Sequence, residues 1–383
     1  VTSPAHGHTH LLTPGDHYSP RTGSAVPTVV HGLASATPEG EPSPRVLIAA
    51  GTYPERYEDA ECVEYPLRPG RRTDRYVDAA TALLASRRPA AQATLRPALV
   101  TQASWAPSVV LAHNLPQAVP LVDAARHVPV LYAHNQLFRT YSAREARRAL
   151  GPVRAVVAVS DHLAGALSDR LPPELRSRVV VVRNGVDTSA FEARERPDDG
   201  VLDVVFVGRV IPDKGADVLV DAVVRLGRPD VRLLVVGSAG FAPTSPLTPY
   251  ERSLRERAAG AGDRIRFRRF VPREQVAEVL ESADVAVVPS RWPDPCPLTV
   301  LEGMAAGAAV VASRIGGIPE MVGDGGLLVA PGDVTDLAEA LDGLAGDDGL
   351  RRRITSASTR RGRERPWTVV ARELRDTLRG AES

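Results

Sequence analysis

Only two cysteines, Cys62 and Cys296, occur in 383 residues, far apart and without C-x-x-C spacing. That excludes a disulfide framework and a cysteine zinc site, and makes the reducing cytoplasm the default expectation. Charge excess is nearly absent: 47 Lys and Arg against 46 Asp and Glu leave a formal net charge of +1. Nothing global therefore argues for nucleic acid or a strongly acidic partner. No apolar run approaches the ~18–20 residues that span a bilayer. The opening VTSPAHGHTH has no basic region followed by an apolar core, so it reads as no signal peptide, with Val1 from an alternative start codon. D-x-D occurs nowhere, and only two Met stand beside abundant Ala, Arg, Pro and Gly, as in bacteria of high GC content.

What is present is ordinary for a soluble globular chain, 43% apolar and 24% charged. The length exceeds one core and suits two domains of about 150–200 residues. Short Val/Ile/Leu runs predict strands at 45–51, 108–113, 128–134, 155–160, 178–185, 202–209, 231–237, 265–270, 283–290 and 308–313. Such runs suit strands buried on both faces, as in parallel sheets. Amphipathic segments between them, such as 217–226 and 273–283, predict helices and a doubly wound α/β fold. Residues 187–202 break the rhythm with charge, Pro and Gly and read as a linker. The expectation is two Rossmann-like domains joined near residue 195, facing each other across a cleft that holds the ligand. The arginine-rich tract 351–366 reads as a solvated helix face, with a lipid or nucleic-acid patch as the rival. Segment 366–378 reads as a helix crossing back to the first domain, and the chain leaves oligomeric state open.

Chemistry concentrates in two stretches. In FVGRVIPDKGADVLVDAV (206–223) a buried strand ends at Gly208, Arg209 and Lys214 bracket a turn, and Gly215 opens a helix. Cations beside helix N–H groups make an anion site fit for a diphosphate; read alone, they equally suit a solvated loop. In SRWPDPCPLTVLEGMAAG (290–307) Asp294 and Glu302 surround a helix start near Leu298. Ionised carboxylates only accept, so they suit hydroxyl or amine donors, while the helix amides of Leu298 and Thr299, which follow Pro297, offer donors to a phosphate or sugar. Together these are the needs of a sugar nucleotide. Plain helix capping by Asp294 and an ion pair for Glu302 are the alternative.

GRVIPDKG, the later Asp-x7-Glu and GGIPEMVGDGGLLVAPGD (316–333) resemble the retaining glycosyltransferases of family 4, which have the GT-B fold. DHYSPRTGSAVPTVVHGLA (16–34), AHNLPQAVPLV (112–122), LYAHNQLF (131–138), AVSDHLAGAL (158–167) and VVVRNGVDTSAF (180–191) extend the likeness over nearly the whole chain. The resemblance implies that Arg209 and Lys214 bind the donor diphosphate, Glu302 the ribose and Asp294 the transferred sugar. Asp294 stands where the family usually has Glu, and Cys296-Pro297 where it has Phe-Gly. His134 matches the histidine beside the transferred sugar. His113, Asn114, Asn135 and Arg21 fall on the acceptor side. Gly23 allows close backbone approach to the diphosphate, although Ser24 replaces a second glycine. Gly237 borders the nucleotide, and Val271 and Pro272 match a segment that meets the base. His6, His8 and His10 alternate like metal ligands, but the preferred reading is an idle, flexible terminal segment.

The resemblance implies transfer of a sugar, with UDP the first expectation for the donor, to a hydroxyl of a small natural product, such as an aminocyclitol antibiotic, or of a saccharide. Cationic side chains replace a metal, and no cofactor is expected. The partners are then a nucleotide-sugar donor and that acceptor, with no nucleic acid and at most peripheral membrane contact. A sugar-nucleotide 2-epimerase and a catalytically silent sugar-nucleotide binder remain as rivals.

Overall fold

The computed structural model describes residues 7–191, 199–240 and 246–380. It separates into two compact units. The first holds residues up to Ser19, Ser24–Asn184 and the chain from Trp367 on; the second holds Pro20–Gly23 and Gly185–Pro366. Part of the expected linker, residues 192–198, lies outside the described residues.

The first unit is built on seven parallel strands: β1 (Gly7–Leu11), β2 (Arg45–Ala49), β3 (Glu61–Tyr65), β4 (Ser108–His113), β5 (Val128–Ala133), β6 (Ala155–Ala158) and β7 (Val179–Val181). Their order is β3-β2-β1-β4-β5-β6-β7. The second is built on six: β8 (Leu202–Val207), β9 (Val231–Val236), β10 (Ile265–Arg268), β11 (Val285–Val288), β12 (Ala309–Ser313) and β13 (Gly326–Val329). Their order is β10-β9-β8-β11-β12-β13. In each sheet successive strands run outward from a central pair in opposite directions, so a switch point falls between β1 and β4 and another between β8 and β11. Ligands of open α/β sheets bind beyond the strand ends at such points.

The expectation of a flexible, idle terminal segment is overturned. Residues Gly7–Leu11 form the central strand β1, paired with both β2 and β4. His10 and Thr9 are each 1% exposed, because Thr9 Oγ1 donates to Ser108 Oγ at 3.3 Å and His10 bonds a second ring. His6 lies outside the described residues.

Central strands are apolar on both faces, as in Val204, Val205 and Phe206 of β8, which are all buried. Val204 and Phe206 join Leu219, Val223 and Leu341 in the core of the second unit. The last helix, Trp367–Gly380, buries Trp367, Val370, Ala371 and Leu374. Its indole sits on Gly32 so closely that a Cβ there would come within 2.2 Å of the ring. The arginine tract forms the helix Asp348–Gly362. Arg361 donates to the carbonyls of Met321 and Glu320 at 2.7 and 2.8 Å, and Arg360 pairs with Asp324 at 2.7 Å.

Candidate functional site

In the second unit the chain leaves β8 through Gly208 and Arg209, makes a tight turn at Pro212–Lys214, and enters the helix Ala216–Leu226 through Gly215. Gly215 has φ 69°, and a Cβ on it would lie 1.9 Å from the Pro289 carbonyl oxygen. Only glycine lets this turn lie on the loop after β11. The two loops are tied again where Arg291 and Trp292 N–H groups donate to the Asp213 carbonyl at 2.9 and 3.2 Å. Gly215→Ala is therefore expected to lower the urea midpoint by the equivalent of ~2 kcal/mol or more. An unchanged midpoint would contradict this contact.

That docking carries Lys214 onto Asp294. The ammonium donates to the Asp294 carboxylate, 80 residues away in sequence. Asp294 is further fixed by its backbone, whose carbonyl accepts from Gly317 N–H at 2.9 Å. It does not cap a helix. The helix Leu298–Ala305 has Pro297 at its N-cap and no side-chain cap, which leaves early amides for another acceptor.

Glu302 lies on that helix, 2% exposed. Its Oε1 accepts from the Arg273 guanidinium. Its Oε2 has no hydrogen-bond partner among the described residues. A buried, half-satisfied carboxylate costs on the order of 1–3 kcal/mol or more, so such groups mark either strain or a binding function. Glu302, Thr299, Arg273 and Val271 line one pocket with Gly208, Arg209, Gly237 and Gly23. Arg209 is exposed there and enters no ion pair among the described residues.

Of the residues expected to bind a donor, Gly23, Gly208, Arg209, Gly237, Val271, Thr299 and Glu302 thus share a pocket. Lys214 and Asp294 form a pair of their own. Pro272, Pro297 and Leu298 are not among the lining residues. Arg273 was missed in the sequence: FVPREQ reads as a helix start, and nothing local reveals a partner 29 positions on.

In the first unit the strand ends carry a row of histidines. His10 Nδ1 and His113 Nε2 lie 2.9 Å apart, and His113 Nδ1 and His134 Nε2 lie 2.8 Å apart. The rings stack at centroid separations of 5.2 and 5.1 Å. Burial, reinforced by the neighbouring imidazoles, pushes the His10 pKa down to about 3 and that of His113 well below its usual value. Burial alone brings His134 to about 3, and burial with the Arg375 charge brings His8 to about 4. All four are therefore neutral at pH 7. The Asn114 side-chain oxygen accepts from the His134 backbone N–H at 2.7 Å, with Asn114 itself at φ 56°. His113 is corrected as an acceptor-side residue: it is 0% exposed with both ring nitrogens engaged. Asn135 is exposed, and Arg21 is exposed on the 20–23 stretch that clusters with the second unit.

A family described as Glycosyltransferase Family 4 matches residues 26–190, and one described as Glycosyl transferases group 1 matches residues 202–347. The glycogen synthase of Mycobacterium tuberculosis is 32% identical over 298 residues, 71% of this chain and 69% of that protein. The alpha-maltose-1-phosphate synthase of Mycolicibacterium smegmatis is 35% identical over 260 residues, 61% of this chain and 65% of its own. Spore coat protein SA of Bacillus subtilis is 28% identical over 285 residues, covering 68% and 75%. The match thus spans 65% to 75% of the length of these relatives. Among solved structures, HepE of Anabaena in complex with UDP and glucose matches 98% of this chain and 99% of its own at TM-score 0.71 and 19% identity. Sucrose-phosphate synthase from Thermosynechococcus elongatus matches at TM-score 0.72 and 17% identity, covering 98% of each chain. These likenesses establish the GT-B fold, two parallel-sheet α/β domains. With both halves matched by family descriptions and a 32% identical relative covered over 69% of its length, the chain belongs to the family-4 glycosyltransferases.

Proposed function

We propose that the protein transfers a sugar from a nucleoside diphosphate donor to an acceptor hydroxyl, with retention of anomeric configuration. The observation that carries this reading is the buried Glu302 carboxylate. Its Oε2 has no partner among the described residues, and the pocket it lines also holds Arg209. A carboxylate oxygen only accepts, so its complement is a hydroxyl or amine donor. A ribose diol supplies one while the attached diphosphate meets the cation. HepE has been solved in complex with UDP-glucose, and the catalytic domain of starch synthase IV from Arabidopsis thaliana bound to ADP and acarbose. A UDP-linked donor fits the same pocket chemistry here.

In this reading Arg209, Lys214 and the first amides of the helix Leu298–Ala305 stabilise the departing diphosphate, in place of a divalent ion. Electrostatic groups of this kind contribute a few kcal/mol each. As the diphosphate claims Lys214, Asp294 is released to the hydroxyls of the transferred sugar. The acceptor enters on the leaving-group face, where a diphosphate oxygen takes its proton, and His134 orients the sugar. The acceptor is a small natural product, such as an aminocyclitol, or a saccharide.

The test is calorimetric titration with UDP and 2′,3′-dideoxy-UDP. Loss of the diol should weaken binding about 10–100-fold in the parent protein and less than about threefold in Glu302→Ala. Equal losses in both proteins would remove Glu302 from the ribose site.

A further inference from the structure

The helix Asp74–Ala85 buries none of its residues. Tyr76, Ala80, Leu83 and Leu84 follow the i, i+4, i+7, i+8 spacing of one helical face, and all are exposed. Leu83 and Leu84 are 85% and 84% exposed, and Tyr76 is 62% exposed. A helix ordinarily turns such a stripe to the core; this one turns it to water. The two carboxylates of the helix are spent elsewhere. Asp78 accepts from the Ala90 and Ala91 N–H groups at 2.8 and 3.0 Å, and Asp74 accepts from Arg71 N–H at 2.9 Å.

The exposed charges beside the stripe are cations: Arg71, Arg72 and Arg75 at its start and Arg87 just past its end. Among the described residues none of the four enters an ion pair; Arg75 instead lies over the Tyr76 ring at 4.5 Å. Three cations at a helix N-terminus oppose its dipole, so helix stability does not account for them.

We propose that this face docks on an anionic lipid surface, with Leu83, Leu84 and Tyr76 entering the interface and the arginines meeting the headgroup phosphates. Apolar insertion beside basic residues is the chemistry of an interfacial helix. A second copy of the chain fits the face poorly, because both carboxylates of the helix are engaged within its own copy and leave none for the other copy's arginines. No helix among the described residues is long and apolar enough to cross a membrane, so the contact is peripheral. The arginine tract 351–366 is a weaker candidate, since Arg360 and Arg361 are held by local partners.

The experiment is co-sedimentation of the full chain with phosphatidylcholine vesicles, with and without phosphatidylglycerol. The protein should pellet only with the anionic vesicles. Leu83→Ser/Leu84→Ser and, separately, Arg71→Gln/Arg72→Gln/Arg75→Gln should each reduce binding about tenfold. Both variants should keep the parent melting temperature, since no residue of the helix is buried. Parent protein left in the supernatant with anionic vesicles overturns the proposal. So does a double-serine variant that pellets like the parent, or a concentration-dependent dimer in sedimentation velocity that this variant abolishes.

Discussion

Asp294→Asn is expected to bind a nucleoside diphosphate about fivefold more tightly than the parent while losing most sugar transfer. The ion pair explains the first half. Lys214 and Asp294 are 27% and 12% exposed, so their attraction is partly screened and of the order of 1 kcal/mol. An incoming diphosphate must compete with Asp294 for the ammonium, and an amide competes less. The second half follows from the proposed contact of Asp294 with the transferred sugar.

Lys214→Ala reverses the balance. It removes a cation and leaves a largely buried carboxylate facing the anion, so turnover should fall by ~100-fold or more. Lys214→Ala/Asp294→Asn should then recover part of the lost affinity but not the turnover. Calorimetry with UDP and release of diphosphate from a UDP-sugar measure the two quantities separately. Weaker diphosphate binding by Asp294→Asn would show that the pair does not compete with the ligand.

Acid should unfold the first unit over an unusually mild range. His8, His10, His113 and His134 are held neutral when folded, with pKa values pushed below the ordinary 6.5. In the unfolded chain each takes up a proton as pH falls through about 6.5. The unfolded state then binds more protons than the folded one, so stability present above pH 6.5 drains away as pH falls toward 4. Each histidine contributes about 1.4 kcal/mol per pH unit in that window. By pH 5 that is about 2 kcal/mol per residue, against a typical total of about 5–15 kcal/mol. Urea unfolding between pH 7.5 and 5 measures the slope, which should approach about four protons. His10→Asn/His113→Asn should show roughly half that slope. A parent slope below about one proton would mean that these rings are charged in the folded state.

The Val-rich strands of both sheets were legible because strands buried on both faces read as unbroken apolar runs. β1 was not. Its Thr9 and His10 interrupt the run, and only Ser108 and His113, about a hundred residues on, make them tolerable in a core. β3 and β13 were missed at the sheet edges, where ECVEY and GLLV are short and only half-buried. In the second unit, Arg209, Gly208 and Glu302 stood out because a strand end, a glycine and a helix start carry local signals. Arg273 and the Lys214–Asp294 pair did not, since each is made by two segments brought together through folding. Sequence spacing shows which charges are present; it does not show which of them are already occupied.

The histidine row has a consequence for the side chain at its end. A neutral imidazole has a single ring proton, and each nitrogen-to-nitrogen bond needs one. Only two arrangements satisfy His10, His113 and His134 together. In one, every proton points from His10 toward His134, whose outer Nδ1 then carries hydrogen. In the other, all are reversed, and that nitrogen shows a bare lone pair. Whether His134 donates or accepts beyond the row is thus coupled to the protonation of His10 Nε2, two rings away in the middle of the sheet.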